Sequence, residues 1–123
     1  MTEHLPLVLD DARLDALVDE LGDPHVVREA VQAFLDELPV RLTAIRDAIE
    51  VGDLELARER AHALGSPAAM LGATSVRYAT KEFENAVKSG ADDDVDELYS
   101  DIEAVAALTA EALRDYLDSP LPA

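Results

Sequence analysis

Residues 24–50 read PHVVREAVQAFLDELPVRLTAIRDAIE, and the spacing of the apolar residues in this stretch decides the fold. Apolar side chains recur every three or four positions, which places them along one face of an α-helix. No segment of the chain alternates between apolar and polar residues as a half-buried strand would. The apolar stripe consists of Val27, Val31, Phe34, Leu38, Leu42, Ile45 and Ile49. It predicts a long amphipathic helix, which Pro39 should bend by removing one backbone hydrogen bond.

Glycines divide the rest of the chain into helical segments. Four of the five are followed closely by an aspartate or a threonine, in the pairs Gly22 with Asp23, Gly52 with Asp53, Gly72 with Thr74 and Gly90 with Asp92. Glycine suits the left-handed residue that ends a helix, and an Asp or Thr side chain accepts from the free amides that begin the next. The predicted helices span residues 10–21, 24–50, 53–71, 74–89 and 93–117. We predict an all-α fold, namely an antiparallel up-and-down four-helix bundle with a short additional N-terminal helix covering one end.

The composition indicates one soluble domain with an aliphatic core. The chain has 123 residues, of which 49% are hydrophobic and only 4% aromatic. It has no cysteine, so disulfides, thiolate catalysis and cysteine-based metal sites are excluded. We predict a single domain over residues 1–123, with flexible termini at 1–8 and 119–123. The first residues have neither a basic region nor a long apolar run, so we expect a cytoplasmic protein without a signal peptide or a membrane span.

The net charge of −17 argues against nucleic acid and anionic membranes as partners. Residues 58–88 are an exception, because five bases against three acids give this segment a net charge of +2 and leave −19 for the rest of the chain. The bases are Arg58, Arg60, Arg77, Lys81 and Lys88. This segment favours contact with an acidic protein, although ordinary variation in surface charge explains it equally well.

His62 lies in this less acidic segment, and its position on the third helix predicts that it points to solvent. At 100° per residue the core side of that helix carries Ala57, Ala61, Leu64, Ala68 and Leu71. Arg58, Ser66 and Ala69 fall within about 40° of His62, and Gly65 falls about 60° away. A lone exposed histidine is usually an ordinary solvated residue. Its small neighbours, and a mid-helix glycine that costs about 1 kcal/mol relative to alanine, favour a surface that a partner approaches closely. We call Arg58, His62, Gly65, Ser66 and Ala69 the predicted docking face.

Other chemistries have weaker support. Glu59 and His62 have the Glu-x-x-His spacing of di-iron bundles, but a second copy and further inward carboxylates are missing. No serine has a nucleophile-elbow context, and no glycine-rich loop suits a phosphate. The aspartates at 92–94 lack the other ligands of a calcium loop and are expected to cap the last helix. We therefore predict no metal site and no cofactor.

Residues 62–73, HALGSPAAMLGA, resemble the His-x-Leu-Lys-Gly-Ser-Ser block, closed by Leu-Gly-Ala, of histidine phosphotransfer (HPt) domains. The similarity continues through most of the chain. The resemblance implies a phosphocarrier of two-component phosphorelays rather than an independent enzyme, with His62 phosphorylated and Glu84 as the polar residue that approaches it from the next helix. The implied partner is a response-regulator receiver domain, a hybrid histidine kinase or both, with the receiver bringing its own aspartate and Mg²⁺. We expect a monomer, and eight arginines against two lysines favour a bacterial source.

The chain departs from the resembled block at two positions. Gly65 stands where the family has lysine, and Ser66 stands where the family has the following glycine. Arg58 leans away from His62 along the helix and is a poor replacement for the lysine, while Lys81 would help only if the fourth helix presents it on the same side. Pro67 should bend the helix without ending it. Two hypotheses remain open: a phosphocarrier that uses His62, and a non-phosphorylated adaptor that binds a receiver or a kinase as scaffold or competitor. A purely structural bundle is the third alternative.

Overall fold

The computed structural model describes residues 8–120, and within this range the chain is entirely helical with short connections. The helices are α1 (Asp11–Leu21), α2 (Pro24–Glu50), α3 (Leu54–Met70), α4 (Thr74–Ser89) and α5 (Val95–Asp118), with a turn of 3₁₀ helix at Asp92–Asp94. The five predicted helices are confirmed, with the predicted bounds for α2 and α4 and with ends that differ by at most two residues for the other three. Residues 1–7 and 121–123, which make up most of the termini predicted to be flexible, lie outside the described range.

The helix ends follow the predicted chemistry at the four left-handed glycines and at the starts of α2 and α3, whereas Thr74 is the first residue of α4 and Ala73 takes the N-cap position. The side chains of Asp23 and Asp53 cap α2 and α3 by accepting from His25 N at 2.9 Å and Leu56 N at 3.0 Å. At the start of α5 the prediction was wrong, because Asp92–Asp94 form the 3₁₀ turn and Asp94 makes no side-chain cap. Three consecutive aspartates there place negative charge near the N-terminal end of α5, where the helix dipole favours it.

The helices that follow one another in the chain also pack on one another. Contacts join α2 to α3, α3 to α4 and α4 to α5, and α5 packs back on α2. The apolar stripe of α2 is buried or partly buried along its length, as predicted. Among residues 8–120, no helix is both long and apolar enough to cross a membrane.

Helix α1 fixes the turn between α3 and α4. Asp10 N donates to Gly72 O at 2.7 Å, and Arg13 Nε donates to Met70 O at 3.2 Å. Gly72 has a φ of +78°, and a Cβ on it would lie 2.7 Å from the carbonyl oxygen of Asp10, so only glycine fits this turn. The turn sets the register between α3 and α4, and therefore which side chains of the two helices meet.

Candidate functional site

The third helix presents His62 to solvent and buries the opposite side. The His62 side chain is 54% exposed. The residues predicted to face the core are all buried, namely Ala57, Ala61, Leu64, Ala68 and Leu71. Helix α3 also continues through Pro67 to Met70, as predicted, so the apolar phase is kept on both sides of the proline. The bends expected at Pro39 and Pro67 remain predictions.

Both ring nitrogens of His62 have a polar neighbour. Nδ1 lies 3.1 Å from Glu84 Oε1 of α4, and Nε2 lies 3.3 Å from the hydroxyl of Ser66 on the next turn of α3. An ionised carboxylate can only accept a hydrogen bond, so in the neutral ring Nδ1 carries the proton and donates it to Glu84. Nε2 then keeps its lone pair, and the Ser66 hydroxyl can donate to it. The ring therefore offers one nucleophilic nitrogen.

Glu84 is almost completely enclosed, with its side chain only 3% exposed. The closest cation to it is Arg77 of α4, whose Nη1 lies 3.8 Å from Glu84 Oε2. Neither of these two atoms has a hydrogen-bond partner among the described residues. In the sequence, Arg77 stands out only as one of the five bases of residues 58–88. Its position seven residues before Glu84, which is two helical turns, was the signal that both share one face of α4.

Gly65 is the main correction to the predicted docking face. It was expected to face solvent, but it is buried against α4. A Cβ on residue 65 would lie 2.4 Å from Thr80 Oγ1 and 3.0 Å from Arg77 Nη1. The glycine is therefore required by the close approach of α3 to α4, and position 65 has no room for the lysine of the resembled block.

Pro67 leaves the carbonyl of Ala63 without its usual helical donor, and α2 supplies a replacement. Arg41 Nη1 donates to Ala63 O at 3.2 Å, while Nη2 of the same side chain pairs with Glu37 at 3.3 Å. A carbonyl next to His62 is thus satisfied by a side chain of another helix. The missing bond could be predicted from the sequence, but the residue that compensates for it could not.

The other predicted site residues differ in their exposure and in their partners. Arg58 pairs with Glu55 one turn earlier, and its hydrogen bond to Glu55 raises the pKa of Arg58 and lowers the pKa of Glu55. Ser66 and Ala69 are exposed beside His62, while Lys81 is exposed on α4 and, within residues 8–120, forms no hydrogen bond or ion pair with His62. The same described range contains no cluster of histidine and acidic side chains suited to a metal ion.

Together, these residues form a small surface with one reactive nitrogen at its centre. We define the docking face as Arg58, His62, Ser66 and Ala69, with Gly65 removed. Glu84, Arg77 and Thr80 lie beneath it or at its edge on α4. Fold and site together define a helical domain that holds an oriented imidazole at its surface.

The comparisons with known proteins agree with this class. The family model described as the Hpt domain matches residues 29–119, and the chain belongs to this family of histidine phosphotransfer domains. The structure is similar to the crystal structure of histidine-containing phosphotransfer protein B from Pseudomonas aeruginosa PAO1, with a TM-score of 0.83. The match covers 90% of this chain and 95% of that chain, at 21% sequence identity. At this identity the likeness shows the fold alone. No curated protein matches the sequence.

Proposed function

We propose that His62 accepts and passes on a phosphoryl group through Nε2, relaying it between receiver-domain aspartates or from a histidine kinase. Membership of the Hpt family supports a role in two-component phosphotransfer. The observation that carries the proposal is the 3.1 Å contact from Nδ1 to the buried Glu84, which leaves the lone pair of Nε2 at the surface beside the Ser66 hydroxyl. The protein is then a phosphocarrier rather than an independent catalyst.

The proposed transfer conserves the proton on Nδ1. The lone pair of Nε2 forms a bond to phosphorus as the bond from phosphorus to the aspartate oxygen breaks, and that oxygen keeps the electron pair. The ring gains positive charge because Nδ1 keeps its hydrogen. Glu84 faces this nitrogen and offsets the charge in a poorly solvated position, where a fixed anion acts more strongly than in water.

Several further expectations belong to the same proposal. We expect a cytoplasmic monomer that holds no cofactor of its own and meets Mg²⁺ only on the receiver. The ring of contacts from α2 through α3 and α4 to α5 and back to α2 supports the antiparallel four-helix bundle. We also expect residues 1–123 to form one domain.

A non-phosphorylated adaptor is the alternative function. It is favoured by one observation, which is that position 65 has no room for the lysine found there in the resembled block. Such an adaptor would keep the docking face and bind a receiver or a kinase without taking a phosphoryl group.

Incubation with ³²P-labelled phosphorylated receiver domains separates the two functions. A phosphocarrier takes up acid-labile label, and His62→Gln removes the label without changing the melting temperature, since an exposed side chain contributes little to packing. His25→Gln is the matched control, because His25 is also an exposed helical histidine. Label that persists in His62→Gln would overturn the assignment, and receiver binding without label in the wild type would establish the adaptor.

A further inference from the structure

A partly exposed arginine, Arg77, turns its buried Nη1 atom toward the buried carboxylate of Glu84 below His62. Arg77 Nη1 and Glu84 Oε2 lie 3.8 Å apart. Neither atom has a hydrogen-bond partner in the described part of the chain, although both are buried. The distance is too long for a direct hydrogen bond but short enough for a strong interaction between charges in a poorly solvated place.

The other oxygen of Glu84 is the one that contacts His62. The three side chains therefore form a series in which the Arg77 guanidinium faces the carboxylate and the carboxylate faces Nδ1. A buried carboxylate without a nearby cation carries a large desolvation penalty, and the Arg77 guanidinium offsets part of that penalty at the residue that faces Nδ1 of His62. Among residues 8–120, Arg77 forms no hydrogen bond or ion pair with the imidazole itself, so its effect on the ring passes through Glu84.

Gly65 provides the space for this arrangement. A Cβ at position 65 would lie 3.0 Å from Arg77 Nη1, closer than nearly all real Cβ contacts, and 2.4 Å from Thr80 Oγ1. The side chain of Arg77 thus lies beside the glycine instead of extending into solvent, and it is 32% exposed. The same close packing of α3 on α4 leaves no room for a lysine at position 65 and holds the side chain of Arg77 beside Gly65.

We infer that Arg77 is a positioning residue for His62, which acts through Glu84 to hold the imidazole as the Nδ1–H tautomer with the Nε2 lone pair toward solvent. The effect on phosphoryl uptake rests on the proposed function, whereas the effect on the tautomer does not. An ordinary ion pair that only holds α4 in place would leave the tautomer of His62 unchanged when Arg77 is replaced. The two roles can therefore be separated by experiment.

The experiment compares the full chain with Arg77→Met, Arg77→Gln and Arg77→Lys. The first measurement is the tautomer of His62 by ¹⁵N NMR of the ring nitrogens, and the second is the rate of label uptake from phosphoramidate, a small phosphoryl donor that releases ammonia. We expect Arg77→Met and Arg77→Gln to populate both tautomers and to slow uptake by roughly tenfold, a size typical of a displaced reacting group. Arg77→Lys keeps the charge and should stay within about twofold of wild type, since a single contact does not need the planar guanidinium.

The control is Arg60→Met, which removes an exposed arginine from α3 and should change neither measurement. Unchanged tautomer and uptake in both Arg77→Met and Arg77→Gln would overturn the inference, and so would a lysine variant as impaired as the methionine variant. If Arg77→Met does not fold, Arg77→Gln and Arg77→Lys still give the comparison. A wild type that takes no label refutes the proposed function, while the tautomer measurement continues to test Arg77 on its own.

Discussion

Gly65 and Thr80 meet across the interface between α3 and α4 so closely that a Cβ on residue 65 would lie 2.4 Å from Thr80 Oγ1. Thr80 is fully buried, and its hydroxyl donates to the carbonyl of Arg77 at 3.0 Å, so it has no free direction in which to move. This contact reverses what helix propensity predicts for position 65.

Gly65→Ala should destabilise the protein by about 1–2 kcal/mol, although alanine is the better helix former by about 1 kcal/mol. The reason is that overpacking at the interface outweighs the gain in propensity. Chemical denaturation gives the free energy of unfolding. The same substitution in a Thr80→Ala background should cost much less, because the clashing oxygen is gone. A stabilised Gly65→Ala variant would mean that residue 65 faces open space after all.

Glu84→Gln tests the carboxylate at His62. The amide oxygen can still accept from Nδ1, but it cannot offset positive charge that the ring gains during transfer. We expect uptake of label from a phosphorylated receiver to fall on the order of tenfold or more, as when the charged partner of a reacting histidine is neutralised. Glu82→Gln, an exposed position of the same helix, is the control. Equal rates for wild type and Glu84→Gln would show that the charge of Glu84 plays no part.

The helices and the outward direction of His62 could be predicted from the sequence, because both depend on periodicity within one helix and on local capping by glycine and aspartate. The environment of Gly65 could not, because it depends on how α4 is rotated and shifted against α3. A glycine within an otherwise regular helix indicates either a functional surface or a close neighbouring helix, and spacing alone does not distinguish them. Arg77 was missed for the same reason, since only the fold places it next to both Gly65 and Glu84.

Ala69→Trp tests the docking face at a position that the structure leaves exposed. A bulky side chain beside His62 should prevent the close approach of a receiver. For a receiver that exchanges label with the protein, we expect the affinity to fall roughly tenfold or more, which corresponds to at least about 1.4 kcal/mol. Isothermal titration calorimetry measures the affinity, and thermal unfolding should be unchanged. Ala107→Trp is the matched control, because Ala107 is an exposed alanine on α5, a helix that packs on α2 and α4. Equal affinity for both variants would place the interface elsewhere.

Arg41 and Pro67 should be thermodynamically coupled. Arg41→Met leaves the carbonyl of Ala63 without the donor that lies at 3.2 Å, and we expect a loss of about 1 kcal/mol in the free energy of unfolding. Pro67→Ala restores a backbone N–H that can reach the same carbonyl, so Arg41→Met should cost less in that background. A double-mutant cycle in urea measures the difference, with an expected coupling of about 0.5–1 kcal/mol. A coupling of zero would show that Arg41 stabilises α2 and not the carbonyl.

The hydrogen bond from Arg41 to Ala63 also bears on whether a peptide of α3 alone can reproduce the site. A synthetic peptide with the sequence of α3 would contain Gly65 and Pro67 within a few residues of His62, and both residues disfavour a helix that has no tertiary packing to support it. It would lack the arginine of α2 that replaces the missing donor and the glutamate of α4 that orients the imidazole. Peptide mimics of residues 54–70 should therefore neither accept phosphoryl groups at the rate of the full chain nor compete for its partners.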